Sequence, residues 1–348
     1  MGNIATTNKV SYNEIYEVPQ ELLEIQDAKE LYKIFPKPTL MYLDGIKKEP
    51  LFVTVLLHGN EDTGLFAIQK ILKKYQNRPL PRSLIVFFAN VEAAKYEKRH
   101  LDTQPDFNRV WEGGELSNTP EGLMMAEITQ KVASKKPFAS IDIHNNTGKN
   151  PFYGCINKLE SDFIYLAAQF SKIIVFFETP KGVQSLAMSQ YCPAVTIECG
   201  KPKVEASYEA AAEFVDTILH LSHFPAQPKH LEYNIYKTVA RVEIPKEFSF
   251  SYSDKNADIF LLTELEKDNF VMLKKGTLFA YIKEGSNARF RVLDDDKNDR
   301  FDEYFYIENN GIYLKKEAMP SMITLDEKVI EQDCLCYLMR EVKDKTEV

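Results

Sequence analysis

The sequence predicts an α/β fold: a mostly parallel or mixed sheet with helices on both faces, followed by a smaller β-rich C-terminal domain. Two observations predict it. From about residue 50 to residue 220, short apolar runs alternate with amphipathic stretches, which is typical of strands connected by helices. Beyond a proline-containing segment, Phe224–Pro228, short β-type runs separated by turn residues follow. We therefore predict domains at residues 1–225 and 226–348.

The strands of the first domain are predicted from short, continuous apolar runs rich in β-branched and aromatic residues. In chain order these runs are Leu51–Leu57, Ser83–Ala89, Phe138–Ile143, Ile173–Phe177 and Ala194–Glu198. The helices are predicted from apolar residues at helical spacing and from start signals such as Thr119-Pro120-Glu121. They are Thr63–Tyr75, Pro120 to about Ala133, Ser161–Ser171, Gln184–Tyr191 and Glu205–Leu221.

The second domain is predicted from β-type runs alone. These runs are Thr238–Ile244, Asp258–Leu262, Thr277–Ile282 and Phe305–Ile307. Turn residues such as Lys275-Gly276 and Asn309-Asn310-Gly311 separate them.

Composition excludes several function classes. The formal net charge is -8, which gives no support to nucleic-acid binding. No apolar run is long enough to cross a membrane, and the N-terminus lacks the apolar stretch of a signal peptide. The five cysteines have no paired zinc-ribbon spacing, so free thiols in a reducing cytoplasm fit best. The sequence leaves the oligomeric state open, a homo-oligomer included.

The first candidate site residues, His58 and Glu61, follow the first strong strand within the tetrapeptide HGNE. The carboxyl ends of strands are where sites form in open α/β sheets. A turn at Gly59 can aim both side chains at one point, and imidazole and carboxylate are both good Zn²⁺ ligands. An HxxE pair alone is weak evidence, because an ordinary surface turn gives the same pattern. His144 also ends a predicted strand, where it is either a third ligand or a histidine with a structural role.

Two further elements carry polar groups that suit hydrolysis of an anionic substrate. Glu198 closes an apolar strand, and a glutamate beside a metal can move a proton, although a strand end can also simply expose one. Arg99 precedes the sequence Asp106-Phe107-Asn108-Arg109. Arginines can grip a carboxylate or stabilise an oxyanion, while surface arginines in a loop are the ordinary alternative.

In the order HGNE, R-x-x-D…D-F-N-R, D-I-H and T-I-E-C-G, the motifs resemble those of the zinc carboxypeptidase superfamily. Within it the chain most resembles the succinylglutamate desuccinylase and aspartoacylase branch. The motifs cover about residues 40 to 220, and that branch also appends a β domain to its catalytic domain. The resemblance therefore implies a zinc-carboxypeptidase-like fold and a zinc-dependent hydrolase that acts on linear amide bonds.

Residue by residue, the resemblance implies one Zn²⁺ bound by His58, Glu61 and His144. It implies Glu198 as the general base and Arg99 as the oxyanion-stabilising arginine. Asn108 and Arg109 match the pair that holds the free carboxylate of the substrate, and Asp106 matches a carboxylate that orients His58. The spacing from Arg99 to Asn108 departs from the family pattern, so Lys98 competes with Arg99 for that role.

The mechanism implied is direct attack of a zinc-activated water on an amide, with Glu198 moving the proton. The function predicted first is deacylation of an N-acyl amino acid, a small molecule with a free carboxylate. The alternative is a metallocarboxypeptidase that acts on small or cell-wall peptides, because Arg109 would also hold a peptide's terminal carboxylate. A non-catalytic binding protein that kept the fold is the third hypothesis.

Overall fold

The protein is described by a computed structural model that covers residues 10–225 and 231–342. The predicted linker Phe224–Pro228 lies partly outside the described residues. The described residues form two compact units. The first comprises residues 10–145, 152–225 and 231–233, and the second comprises residues 146–151 and 234–342. No helix among the described residues is long and apolar enough to span a bilayer.

The first unit contains a mixed sheet and the helices that connect its strands. Its strands are β1 (Asn13–Ile15), β2 (Thr39–Leu43), β3 (Gly45–Val55), β4 (Leu80–Phe88), β5 (Ala139–His144), β6 (Tyr153–Ile156), β7 (Ile173–Phe176) and β8 (Ala194–Glu198). Its α-helices are α1 (Leu31–Ile34), α2 (Thr63–Tyr75), α3 (Val91–Lys95), α4 (Pro120–Ser134), α5 (Ser161–Ala168), α6 (Gln184–Met188) and α7 (Glu205–His220). Short 3₁₀ turns at Gln20–Leu23 and Ala28–Glu30 precede α1.

The strand order in this sheet is β1-β2-β4-β3-β5-β8-β6-β7. Its central strands β4, β3, β5 and β8 are mutually parallel, whereas β2 pairs antiparallel with β4 and β6 pairs antiparallel with β8. The predicted mostly parallel or mixed sheet is therefore confirmed. The parallel strands are buried along most of their length, as expected for strands that helices cover.

Local signals set several element boundaries. Helix α2 has the predicted bounds, and it buries Leu65, Ile68 and Leu72 on one side. Helix α4 begins as predicted, because the side chain of Thr119 accepts a hydrogen bond from the backbone N–H of Gly122 and Pro120 follows the cap. Helix α5 ends at Ala168 instead of Ser171, so that prediction was too long.

The second unit is β-rich, in agreement with the prediction. Its strands are β9 (Asn234–Glu243), β10 (Phe250–Ser251), β11 (Ile259–Leu261), β12 (Leu278–Ile282), β13 (Arg291–Leu293), β14 (Phe305–Glu308), β15 (Gly311–Leu314), β16 (Met319–Ser321) and β17 (Cys336–Glu341). Short helices are α8 (Phe301–Tyr304) and α9 (Glu327–Gln332), with a 3₁₀ segment at Thr263–Asp268. Strand β9 pairs antiparallel with β13 and β17, and a separate sheet has the order β10-β11-β12-β15-β14.

An aromatic core holds this second unit together. The ring of Phe305 lies 5.1 Å from that of Phe279, 5.5 Å from that of Phe290 and 6.0 Å from that of Phe301, centroid to centroid. All four rings are buried. Offset and edge-to-face contacts of this kind add to the free energy gained by removing the rings from water.

Candidate metal centre and substrate site

Neighbouring parallel strands bring the predicted site residues to one edge of the first unit's sheet. His144 is the last residue of β5 and Glu198 the last of β8, and the two residues are directly paired in register. Strand β3 lies on the other side of β5 and ends at Val55, three residues before His58. Because parallel strands end at the same edge, the three segments carry their polar residues into one region.

The HGNE turn is tight and depends on its glycine. A Cβ atom at Gly59 would lie 2.2 Å from the backbone nitrogen of Ala94, so no larger residue fits there. The backbone N–H of Gly59 donates to the carbonyl of Arg99, 3.1 Å away, and that of Glu61 donates to the carbonyl of His58 at the same distance. The turn thereby directs His58 and Glu61 to the same side.

His58, Glu61 and His144 form a buried group whose donor atoms all lie within 4.8 Å of one another. Nδ1 of His58 lies 2.7 Å from Oε1 of Glu61, and Nδ1 of His144 lies 2.8 Å from Oε2. The backbone N–H of Asn145 also donates to Oε2. Two imidazoles and one carboxylate are the protein ligands of one known class of catalytic zinc site, so this donor set fits a single metal ion.

A second carboxylate lies behind each imidazole. Nε2 of His58 donates to Oδ1 of Asp106 at 3.0 Å, and Nε2 of His144 donates to Oδ2 of Asp142 at 2.8 Å. Such contacts fix the proton on Nε2 and leave Nδ1 for a metal. The motifs predicted Asp106 at this position, whereas Asp142 had no predicted role. The spacing D-I-H contained the signal, because residues i and i+2 of a strand project from the same face.

Burial and opposite charges set the ionisation of this group. Burial would raise the pKa of Glu61, but the facing imidazoles of His58 and His144 outweigh it and hold that pKa below its usual range. Burial likewise opposes ionisation of Asp106, yet Arg99 and His58 keep its pKa well below the usual value. For His144, burial is outweighed by Asp142 and Glu61, which raise its pKa well above the usual value. Glu61 and Asp106 are therefore held in their charged form.

The loop that carries Asn108 and Arg109 begins at Asp106. The backbone N–H of Asn108 donates to Oδ1 of Asp106 at 2.7 Å, and Nδ2 of Asn108 lies 3.4 Å from Nε2 of His144. Arg109 donates through Nη1 to the carbonyl of Asn108. The structure therefore places Asn108 directly beside the histidine group, and Arg109 follows it in the loop.

Arg99 lies against the same carboxylates. It donates through Nε and Nη2 to Oδ2 of Asp106, at 3.1 and 2.9 Å, and its Nη1 lies 3.9 Å from Oε1 of Glu61. The neighbouring Lys98 instead lies on the surface, where its ammonium is 3.7 Å from Asp102. The structure thus brings Arg99 to the group in spite of the unusual spacing to Asn108.

Glu198 is half-buried and has neighbours on both adjacent strands. It is paired in register with His144 on β5 and with Tyr153 on β6. Directly paired residues project from the same face of a sheet, so Glu198 is on the same face as His144. Strand β6, which sequence reasoning missed, completes this part of the edge.

A family model matches this chain. The model of the succinylglutamate desuccinylase/aspartoacylase catalytic domain matches residues 49–224. No curated protein matches the sequence at a significant level.

Several solved structures share the fold. The succinylglutamate desuccinylase from Chromobacterium violaceum has 14% identity and a TM-score of 0.58, and 86% of each chain is covered. The succinylglutamate desuccinylase/aspartoacylase from Rhodobacter sphaeroides has 13% identity and a TM-score of 0.57, with 88% of this chain and 89% of that chain covered. Murine aminoacylase 3 has 14% identity and a TM-score of 0.56, with 85% and 95% covered. At this level of identity the likeness is one of fold.

Proposed function

The chain belongs to the succinylglutamate desuccinylase/aspartoacylase family of hydrolases, and from this premise we propose that it is a zinc-dependent deacylase of N-acyl amino acids. One observation carries the proposal. The buried His58–Glu61–His144 group lies beside Asn108, whose Nδ2 is 3.4 Å from His144. A donor set that fits a metal and an amide able to bind a carboxylate therefore lie side by side, which supports the proposal. The names of the similar structures, desuccinylase and aminoacylase, describe the same kind of reaction.

His58, Glu61 and His144 would hold the zinc ion, with Asp106 and Asp142 fixing the two imidazoles behind them. A bound zinc supplies a Lewis acid that polarises the scissile carbonyl and makes water a nucleophile near neutral pH. The remaining steps belong to side chains of this chain.

Glu198 is proposed as the group that moves the proton. It takes a proton from the attacking water and returns it to the departing amine nitrogen, which avoids a charged leaving group. Its position on the same sheet face as His144 supports this role. Its partial exposure also supports it, because a carboxylate that reaches solvent can exchange protons with incoming water.

Arg99 is proposed to stabilise negative charge on the carbonyl oxygen during attack. Its Nη1 is the guanidinium nitrogen turned to the group, 3.9 Å from Glu61, while Nε and Nη2 are fixed on Asp106. An arginine that is already oriented needs little rearrangement when the charge develops. Asn108 and Arg109 are proposed to bind the free carboxylate of the amino-acid part of the substrate.

The experiment that tests the proposal is a screen of the zinc-loaded protein against N-acyl amino acids and short peptides, scored by released amine. We expect N-acetyl or N-succinyl amino acids to be cleaved and peptides to be cleaved poorly. Faster cleavage of peptides would instead assign the protein as a metallocarboxypeptidase. No release of amine from either class, with one zinc bound per chain, would refute the proposed hydrolysis.

The variant Glu198→Gln serves as the internal control of this screen. It should keep bound zinc and lose turnover by about three orders of magnitude or more, because it cannot accept the proton. A variant with close to the normal rate would show that another group moves the proton.

A further inference from the structure

The main chain of Gln184 holds the side-chain amide of Asn108 in one orientation. The backbone nitrogen of Gln184 lies 3.3 Å from Oδ1 of Asn108. A backbone N–H can only donate, so the atom that faces it must be the amide oxygen. The NH₂ group of Asn108 therefore turns the other way, to the side of His144.

His144 does not take up those hydrogens as an acceptor. Its Nε2 donates to Oδ2 of Asp142 at 2.8 Å, so it has no lone pair to offer to Nδ2 of Asn108 at 3.4 Å. The NH₂ group of Asn108 is thus presented as a donor, which is what a carboxylate ligand needs.

Gln184 is itself fixed to the two strands that lead to the histidines. Its Nε2 donates to Oγ1 of Thr54 on β3 at 3.1 Å and to Oγ of Ser140 on β5 at 2.8 Å. All three residues are fully buried. Hydrogen bonds between buried side chains hold their partners in one arrangement, because breaking them leaves polar atoms without water.

The residues just before Gln184 pack on the loop that carries Asn108 and Arg109. The carbonyl of Gly182 accepts a hydrogen bond from the backbone N–H of Trp111 at 3.0 Å. Gly182 has φ +80°, and a Cβ atom there would lie 2.5 Å from the carbonyl oxygen of Arg109. Only glycine allows the two segments to approach this closely.

From these contacts we infer that Gln184 is a positioning residue of the carboxylate site. Its side chain ties it to β3 and β5, and its main-chain N–H sets the Asn108 amide to donate to the substrate. The inference rests on the proposed function, which gives Asn108 a carboxylate to bind. Gln184 belongs to α6, the helix that precedes β8, whereas the other proposed site residues lie at strand ends or in one loop.

The position of Gln184 permits a variant that removes the donor N–H with little cost to the helix. Gln184 is the first residue of α6, and Val183 before it is extended, with φ -99° and ψ 153°. Proline is well accepted at the first position of a helix and requires an extended residue before it. Gln184→Pro removes the side chain and the N–H, whereas Gln184→Ala removes the side chain alone. The difference between the two variants therefore measures the loss of the N–H together with the proline Cδ that takes its place beside Oδ1 of Asn108.

The assay uses the zinc-loaded full chain with the N-acyl amino acid that the unaltered protein cleaves fastest and with its C-terminal amide. Relative to Gln184→Ala, Gln184→Pro should raise KM for the free acid about fivefold or more, because one net hydrogen bond is lost and the proline Cδ displaces the Asn108 amide. The KM of the amide, kcat and bound zinc should differ little between the two variants. Equal KM values for the free acid in both variants would overturn the inference.

A second readout does not depend on turnover. Titration with acetate should shift the NMR signals of the Asn108 side-chain NH₂ in Gln184→Ala, and Gln184→Pro should need about fivefold more acetate for the same shift. If no N-acyl amino acid is cleaved but this difference is seen, the proposed function fails and the positioning role stands. If acetate leaves the Asn108 signals unchanged in the unaltered protein, the inference is wrong.

A second pair of variants covers the case in which Gln184→Pro does not fold. Asn108→Asp replaces the NH₂ group with an oxygen of similar size, and Asn108→Ala removes the whole amide. If the NH₂ group faces the ligand, the aspartate variant should bind acetate more weakly than the alanine variant, because like charges then meet. Equal or tighter binding by the aspartate variant would contradict the orientation inferred for Asn108.

Discussion

Asp142→Asn should weaken binding of the metal about tenfold, because Asp142 is the carboxylate that orients His144. Asp142 is fully buried, and its Oδ2 lies 2.8 Å from Nε2 of His144. Removing such a carboxylate from behind a metal-binding histidine typically costs about 10- to 100-fold in affinity, or about 1.4–2.7 kcal/mol. Asparagine keeps the size and one acceptor oxygen, so the loss should lie at the lower end of this range.

The assay is competition for zinc with a chromophoric chelator, followed by steady-state kinetics at saturating zinc. Asp142→Asn should change the dissociation constant of the metal and leave KM close to normal, because Asp142 hydrogen-bonds His144, whereas the backbone of Asn108 is bound by Asp106. Asp106→Asn is the matched control, since Asp106 supports His58 but also binds Arg99 and the backbone of Asn108. That control should lose metal affinity and raise KM together. A zinc affinity of Asp142→Asn within twofold of normal would refute the reasoning.

Three further predictions concern the substrate clamp, the pH dependence and the second unit. Measured by initial rates, Arg109→Met should raise KM for a free-acid substrate about tenfold or more and leave the KM of its amide unchanged. A parallel change in both KM values would show that Arg109 does not bind the substrate carboxylate. Zinc affinity should rise as the pH increases above about 6.5, because the raised pKa of His144 means that a proton must leave this imidazole before the metal binds. An affinity that does not change with pH in chelator competition would contradict this prediction. Phe305→Ala should lower the free energy of unfolding by about 3–5 kcal/mol in denaturant titration. Ile307 lies on the same strand with 42% of its surface exposed, so Ile307→Ala should lower it far less. Similar losses in the two variants would refute the assignment of Phe305 to the core.

The elements that the sequence predicted correctly are those with strong local patterns. Helix α2 and strand β8 have the predicted bounds, since an amphipathic repeat and a short β-branched run are each sufficient locally. Among the strands of the first unit, β1, β2 and β6 were missed. Strand β6 has four residues, one of them Gly154, and no alternation that separates it from a loop. It forms because β8 offers it an antiparallel partner, and a partner of this kind is not visible in a local pattern.

The candidate ligands could be read from the sequence for a topological reason. His58, His144 and Glu198 each follow or end a buried run, and strands that run in the same direction end at the same edge. These residues come together once the strands that carry them are neighbours in the sheet. That sheet order places β5 between β3 and β8, so the three segments are neighbours.

Tertiary structure alone decided which side chains support the site residues. Asp142 stands two residues before His144, but only the turned imidazole shows that its Nε2 meets that carboxylate. Gln184 gave no signal at all, because its role depends on contacts to Thr54, Ser140 and Asn108, residues from three distant segments.

The sequence by itself therefore determined the α/β class, the family resemblance and the set of chemical groups at the sheet edge. These depend on periodicity and on the order of motifs, both of which are properties of the chain. The orientation of each imidazole and amide was decided only by packing. A hydrogen bond has a direction that both partners must satisfy, and those partners meet only when the chain is folded.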